Sequence, residues 1–311
     1  MPVLLRYCYT VRMQKTDTIT ITECPRDSWQ GLAKFIPTED KIGYLKRLIR
    51  AGARRIDFGS FVSPKAVPQM ADSATVFENI ASAADDLYLI GIIGNARGLE
   101  GLLACNGKFK HKGRISAAGY PMSVSPTFQQ RNLGRSLDQS WDEFAAICAK
   151  AIDHKVDVIC YLSMAFGNPY DDPHSSEIVI EAAKRAASLG VTTISLADTI
   201  GSAEPAMISE LFQACMSACP EVTFTAHLHS TPDGFAAKID AAVDAGCRLI
   251  DSALAGVGGC PFAKDDLTGN VDTMLVLKHL QARGFATSLD PDELTQCAAE
   301  AARIASVYSA T

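Results

Sequence analysis

The chain has no Cys-x-x-Cys pair: its ten cysteines are scattered from Cys8 to Cys297. That excludes a dense disulfide framework and points to a reduced, cytoplasmic setting. Cys215 and Cys219, four apart on an expected helix, read as packing residues. No apolar run approaches the roughly 18 residues that span a bilayer, so no membrane partner is expected. Basic residues are outnumbered, 29 Lys and Arg against 35 Asp and Glu, and the net charge is −6. With no basic stripe, nucleic acid is not an expected partner either. There is no Walker motif and no serine nucleophile elbow. A G-x-G-x-x-G frame from Gly256 fails because Pro261 stands where the third glycine belongs. Only six histidines occur in 311 residues.

Two of those six, His227 and His229, end the β-prone stretch Thr-Phe-Thr-Ala-His-Leu-His-Ser at 223–230. On a strand, residues i and i+2 point the same way, so both imidazoles can reach one divalent cation. A pair of hydrogen-bonded strand-end histidines is the bland alternative.

The rest of the chain repeats one pattern, a short β-rich run followed by an amphipathic helix. The runs fall at 18–24, 54–58, 87–93, 114–118, 156–162, 192–196, 223–230 and 248–253. Helices are expected from 38 to Gly52, from Ser73 as a cap through Ile80, over 96–105, and over 176–189, 202–218, 234–245, 271–280 and 290–308. Ser136 and Gln139 read as a capping box that opens a helix after a long polar loop. Eight strand–helix units match a TIM (β/α)8 barrel, with a doubly wound sheet as the alternative. The expected division is an N-terminal extension (1–16), a barrel (17–285) and a C-terminal helical segment (286–311). The extension carries Arg6, Arg12 and Lys15, lacks the serine-rich character of a targeting peptide, and is expected to add a strand or hairpin.

Active sites of such barrels lie at the C-terminal ends of the strands. The first run ends in Arg26-Asp27 and Gln30, the second in Asp57 and Ser60, the sixth in Asp198-Thr199, the seventh in the two histidines. Asp27, His227 and His229 form an imidazole–carboxylate ligand set to which Asn270 can add a carbonyl oxygen. Such donors favour Mg²⁺ or Mn²⁺ over a closed structural zinc site. Arg26 either stabilises a developing oxyanion or pairs with a neighbouring carboxylate. Asp198 is either a substrate-facing acid or a capping group, and Asp57 either a partner of Arg26 or a buried structural acid. Cys260 lies in a glycine-rich loop, poor core material for an inert cysteine.

The segments CPRDSWQ (24–30), SFVSPKAVPQMAD (60–72), AFGNPY (165–170), ISLADTIG (194–201), HLH (227–229), DSALAGVGGCPFA (251–263) and TGN (268–270) resemble, in order, those of 3-hydroxy-3-methylglutaryl-CoA lyases. These are metal-dependent TIM-barrel enzymes that cleave a carbon–carbon bond beside an acyl-CoA. The resemblance implies Asp27, His227, His229 and Asn270 as metal ligands and Arg26, Asp27, Asp198 and Cys260 as catalytic residues. It places Gln30, Asp57, Ser60 and Thr199 on the substrate side. The implied reaction splits 3-hydroxy-3-methylglutaryl-CoA into acetyl-CoA and acetoacetate, in a homo-oligomer taken as a dimer.

Several positions depart from the family pattern. Cys24 and Ser28 replace glycines, Trp29 a leucine, Asp57 a glutamate and Asn168 a cysteine. Thr273-Met274-Leu275 stands where a Thr-Glu-Asp run is usual. Trp29, Asp57 and Met274 are therefore expected to shape the acyl site. They motivate a second expectation, a lyase or aldolase for another 3-hydroxyacyl-CoA or hydroxy acid. A non-catalytic acyl-CoA-binding barrel is the third.

Overall fold

The structure, a computed structural model, describes residues 17–108, 113–258 and 268–309. The N-terminal extension and Cys260 lie outside the described residues. In chain order the elements are β1 (Thr20–Glu23), α1 (Pro25–Gln30), α2 (Thr38–Arg50), β2 (Arg55–Ser60), α3 (Ser73–Ile80), β3 (Tyr88–Ile92), α4 (Ala96–Lys108) and β4 (Ile115–Ser123). They continue with α5 (Pro126–Leu133), α6 (Leu137–Asp153), β5 (Asp157–Ser163), α7 (Ser176–Ser188), β6 (Thr193–Ala197), α8 (Pro205–Ala218), β7 (Thr223–His227), α9 (Phe235–Asp244), β8 (Leu249–Ser252), α10 (Thr273–Ala282) and α11 (Pro291–Tyr308).

The eight strands run parallel and close into a barrel. Closure is direct: Thr20, Ile21, Thr22 and Glu23 of β1 pair in register with Leu249, Ile250, Asp251 and Ser252 of β8. A doubly wound sheet has two free edges, so this seam excludes it. The main core lies between strands and helices, where Ile21, Ile56, Leu89, Leu162, Leu196 and Ala226 meet the apolar faces of the helices. A smaller cluster of Ile90, Ile92, Ala117, Ile159 and Tyr161 fills one side of the barrel interior. The alternation of strand side chains puts Asp57, Ser195, Thr225 and Asp251 on the other side of the same interior. That half is polar and sits directly below the rim.

Local signals explain most boundaries. The Ser136 hydroxyl accepts from Gln139 N–H while the Gln139 side chain accepts from Ser136 N–H, the expected reciprocal cap. Asp290 caps α11 by accepting from the backbone of Asp292 and Glu293. Gly190 and Gly246 stop their helices at φ of 85° and 108°, where a side chain would be strained.

Three expectations need correction. Ser73 is not the cap of α3: it is the first helical residue, and its hydroxyl donates to Met70 O while accepting from Ser60 N–H. The polar stretch after the fourth run is not a long loop. β4 continues to Ser123, and α5 follows at once, capped by Ser125 and closed by Gly134 in the left-handed region. Finally, the segment after β1 is itself a short helix, α1, with Pro25 in its first turn.

Candidate active site

The site is assembled from both ends of the chain. Because α1 begins directly at the end of β1, Arg26, Asp27 and Gln30 are held on one helical turn over the barrel mouth. Positions three and four apart on a helix meet. Accordingly Gln30 donates to Asp27 Oδ1 at 2.8 Å and accepts from Arg26 Nη1 at 3.1 Å. His227 is the last residue of β7. His229 follows in an antiparallel bridge with Asn270, which brings the segment after β8 back over the rim.

One ligand atom from each of Asp27, His227 and His229 lies within 4.8 Å of the others. The surrounding hydrogen bonds leave the right atoms available. His227 Nδ1 is engaged by Asp251 Oδ2 at 3.2 Å, which leaves Nε2 available to a cation. Asp251 is fixed in turn by the Thr225 hydroxyl at 3.1 Å and the Ser195 hydroxyl at 3.4 Å. Asn270 spends its amide protons on Asp27 Oδ2 at 2.7 Å and Val257 O at 3.2 Å, so its Oδ1 is the free donor. His229 is 2% exposed, and neither ring nitrogen has a hydrogen-bond partner among the described residues. Buried polar atoms without partners cost about 1–3 kcal/mol each. A cation shared by these groups removes that cost, and the donor set fits one.

Electrostatics agree with that use. Burial, with His227 adding to it, pushes His229 down to about 4, so the ring is neutral near pH 7. Burial alone would raise the Asp27 carboxyl, but the Arg26 guanidinium, then the two histidines and Asn270, hold it below the usual carboxylate range. Burial would lower His227, and Asp251 outweighs it.

Arg26 is 8% exposed and is both things the sequence left open. It pairs with Asp57, donating from Nε at 3.2 and 3.0 Å and from Nη2 at 2.5 Å, and it donates to Asp27 from Nη1 at 3.0 Å. It also lines the cavity above the barrel. Asp57 is thus its direct partner; burial raises that carboxyl to about 6 against the pull of Arg26.

The cavity holds about 290 Å³ and is lined by Arg26, Asp27, Gln30, Ser60, Thr199, His227 and His229 at its polar end. Val62, Ala66, Val67, Phe128 and Leu133 add apolar lining, with Asn95, Asn132 and Arg135 among them. Ser60 donates to Ile92 O at 3.1 Å, and the Thr199 hydroxyl accepts Met164 N–H at 2.8 Å.

Asp198 is not among the lining residues. Its carboxylate accepts from Ala203 N–H at 3.1 Å and from Lys238 Nζ at 2.8 Å. The buried Lys238 ammonium also donates to His229 O at 2.9 Å and Gly201 O at 2.8 Å. Asp198 therefore holds a lysine that holds the backbone of a ligand. Of the departures from the family pattern, Asp57 pairs with Arg26, and the Ser28 hydroxyl donates at 2.9 Å to Val257 O, the carbonyl that also accepts from Asn270. Trp29 is buried away from the cavity, edge-on to Tyr44 with ring centroids 5.5 Å apart. Met274 packs against the outer core. Asn168 ties its own loop, accepting from Tyr170 and Asp172 N–H and donating to Asp172 O.

Sequence reasoning missed Asp251, Lys238 and Tyr161. Asp251 was signalled by strand alternation, since it shares the inward face of the sheet with His227. Tyr161 looks like any aromatic core residue in its run, yet it lines the cavity, its ring perpendicular to that of His227 with centroids 6.1 Å apart.

Residues 19–300 match the HMGL-like family. The chain belongs to that family. Among curated proteins it is 34% identical over 272 residues to the mitochondrial hydroxymethylglutaryl-CoA lyase of Mus musculus, covering 88% of this chain and 81% of that one. It is also 34% identical over 266 residues to a 3-hydroxy-3-isohexenylglutaryl-CoA/hydroxymethylglutaryl-CoA lyase of Pseudomonas aeruginosa, with 86% and 85% covered. Among solved structures, an HMG-CoA lyase from Acinetobacter baumannii in complex with coenzyme A and 3-methylmalate superposes with a TM-score of 0.84. That pair is 29% identical, with 96% of this chain and 97% of that one covered. This HMGL-like chain has, among its described residues, no helix long and apolar enough to cross a membrane.

Proposed function

We propose that this protein is a divalent-metal-dependent carbon–carbon lyase that cleaves 3-hydroxy-3-methylglutaryl-CoA to acetyl-CoA and acetoacetate. The observation that carries the reading is the Asp27, His227 and His229 cluster, with its unpartnered His229 ring, beside Arg26 at the polar end of one cavity. The relatives named above support the substrate.

Asp27, His227, His229 and Asn270 would hold Mg²⁺ or Mn²⁺, which supplies Lewis acidity toward the substrate's C3 hydroxyl and carbonyl oxygens. Asp27, kept ionised by Arg26 and facing the cavity, takes the C3 hydroxyl proton. Asp198 is the weaker base because Lys238 and Ala203 already occupy its oxygens. As C2–C3 breaks, the C3 oxygen becomes the ketone of acetoacetate and the electron pair passes to C2 and the thioester oxygen. Arg26, oriented by Asp57, stabilises that enolate. Cys260 returns a proton to C2, so no net proton is consumed. Gln30, Ser60 and Thr199 orient the acyl group.

The test is an acetoacetate assay with the purified protein, chelated and then reconstituted with Mg²⁺ or Mn²⁺. Metal-dependent acetoacetate release is expected, and its absence with either ion rejects the reading. Cys260→Ala is expected to lower turnover more than binding. A second reading, cleavage of a thioester with a larger C3 substituent, is favoured by the apolar lining of the cavity and by the Pseudomonas relative. Relative kcat/KM across a series of 3-alkyl substrates separates the two.

A further inference from the structure

The barrel interior seats one side chain with unusual care. Tyr161 stands on β5 in register with Pro121 of β4, and its ring leans back over Gly119, two residues earlier on that strand. A Cβ on Gly119 would meet Tyr161 Cε2 at 2.8 Å and Ile92 Cδ1 at 2.5 Å. β4 has thus given up a side chain where the phenol ring lies. Ile90, Ile92, Ala117 and Ile159 surround that ring in the interior cluster. The His227 ring lies nearly perpendicular to it, at a centroid distance of 6.1 Å. This packing positions the ring and, with it, the hydroxyl.

That hydroxyl has no hydrogen-bond partner among the described residues. It differs in this from the other cavity hydroxyls treated above: Ser60 donates to Ile92 O and Thr199 accepts from Met164. Tyr161 is 9% exposed, and it lines the same cavity as Arg26 and the ligand cluster. A polar group positioned by its packing, yet left without a protein partner on the cavity wall, is placed for a ligand. A phenol is a single O–H donor, and the developing charge in the proposed cleavage is on an oxygen.

We infer that Tyr161 is a catalytic residue whose hydroxyl donates a hydrogen bond to the thioester carbonyl oxygen of the bound acyl-CoA, sharing with Arg26 the oxygen that becomes the enolate. This rests on the lyase reading. The bond strengthens as charge builds on that oxygen, so it acts more on the transition state than on the ground state.

Tyr161→Phe keeps the ring and removes only the donor. With wild type run in parallel, the variant is expected to lose about 10²-fold in kcat with KM changed less than threefold. Mn²⁺ affinity, read by electron paramagnetic resonance, should be unchanged. A variant that turns over within twofold of wild type overturns the assignment and leaves the lyase reading standing. Calorimetric titration of the metal-loaded protein gives a readout independent of turnover. Acetyl-CoA carries the thioester oxygen and coenzyme A does not. Tyr161→Phe should weaken acetyl-CoA by about two- to threefold, the ground-state share of the bond, and leave coenzyme A unaffected. If wild type cleaves nothing, the lyase reading fails, and this titration alone judges the tyrosine. Equal binding of acetyl-CoA by both proteins then rejects it.

Discussion

His229 concentrates the chemistry of the site in one side chain. It is buried, neutral near pH 7, and without a partner for either nitrogen. A ligand that binds only the folded state stabilises it by about 2.7 kcal/mol at a hundred times its dissociation constant. Saturating Mn²⁺ should therefore raise the melting temperature of the wild type by several degrees. His229→Ala should abolish that rise, and a retained shift in differential scanning calorimetry would place the ion elsewhere. Arg26 is the second critical residue. Arg26→Gln removes the charge proposed to stabilise the enolate and also takes from buried Asp57 its guanidinium partner. Loss of about 10²–10³-fold in kcat is expected, with metal affinity much less affected. Full activity in that variant would refute its role. At this scale the sequence was informative where residue type is rare: two histidines at strand spacing and an Arg-Asp pair named most of the ligand cluster. It was uninformative where a functional residue has an ordinary type. Trp29 and Met274 looked like determinants because they differ from the family pattern, and they face the helical layer instead. Tyr161 looked ordinary and faces the cavity.

At the scale of elements, the strands were readable because parallel strands are apolar over short β-branched runs, and most helices because one face is apolar. α5 escaped notice for a physical reason. Its sequence, Pro-Thr-Phe-Gln-Gln-Arg-Asn-Leu, has little apolar periodicity, and it buries a polar residue, Gln129, whose amide donates to Ser140 at 2.8 Å. α1 was hidden because its residues are chosen for the site: Arg26, Asp27 and Gln30 serve the cavity mouth. Caps are the clearest element-level devices. Ser136→Ala should cost about 1 kcal/mol in urea unfolding, with no change in turnover. Gly119→Ala acts on β4 and β5 together. The added methyl has no room against Ile92 and Tyr161, so a loss of about 1–3 kcal/mol is expected in the same measurement. Turnover should fall too, because the phenol is displaced.

The whole molecule depends on the seam between β1 and β8. Glu23 sits there, 1% exposed, with its carboxyl accepting from Leu254 N–H at 2.8 Å and from the Thr273 hydroxyl. It ties β1, the segment after β8 and α10 into one joint. Burial raises this carboxyl to about 8, against the hydrogen bonds from Thr273 and Leu254. The sign follows from proton counting. Between the ordinary glutamate range and about pH 8 the folded state keeps a proton that the unfolded state has lost. Stability contributed by this group therefore falls as pH rises through that window, and it is fully present below it. Glu23→Gln keeps an acceptor for Leu254 and removes the titration. Its melting temperature should decline less between about pH 5 and 8 than that of the wild type. Parallel curves would show that the carboxyl is not protonated in the folded protein.

The hydrogen bond from Asn270 to Asp27 joins positions 243 apart in the chain. During synthesis, a ribosome that has already released Asp27 must still make nearly the whole barrel before its partner emerges. The two histidines arrive late as well. A nascent chain stalled before β8 has Asp27, His227 and His229 but neither Asn270 nor a closed seam, so the four-residue set is incomplete. A complete four-residue site for a cation therefore exists only in the finished barrel, after the seam has closed.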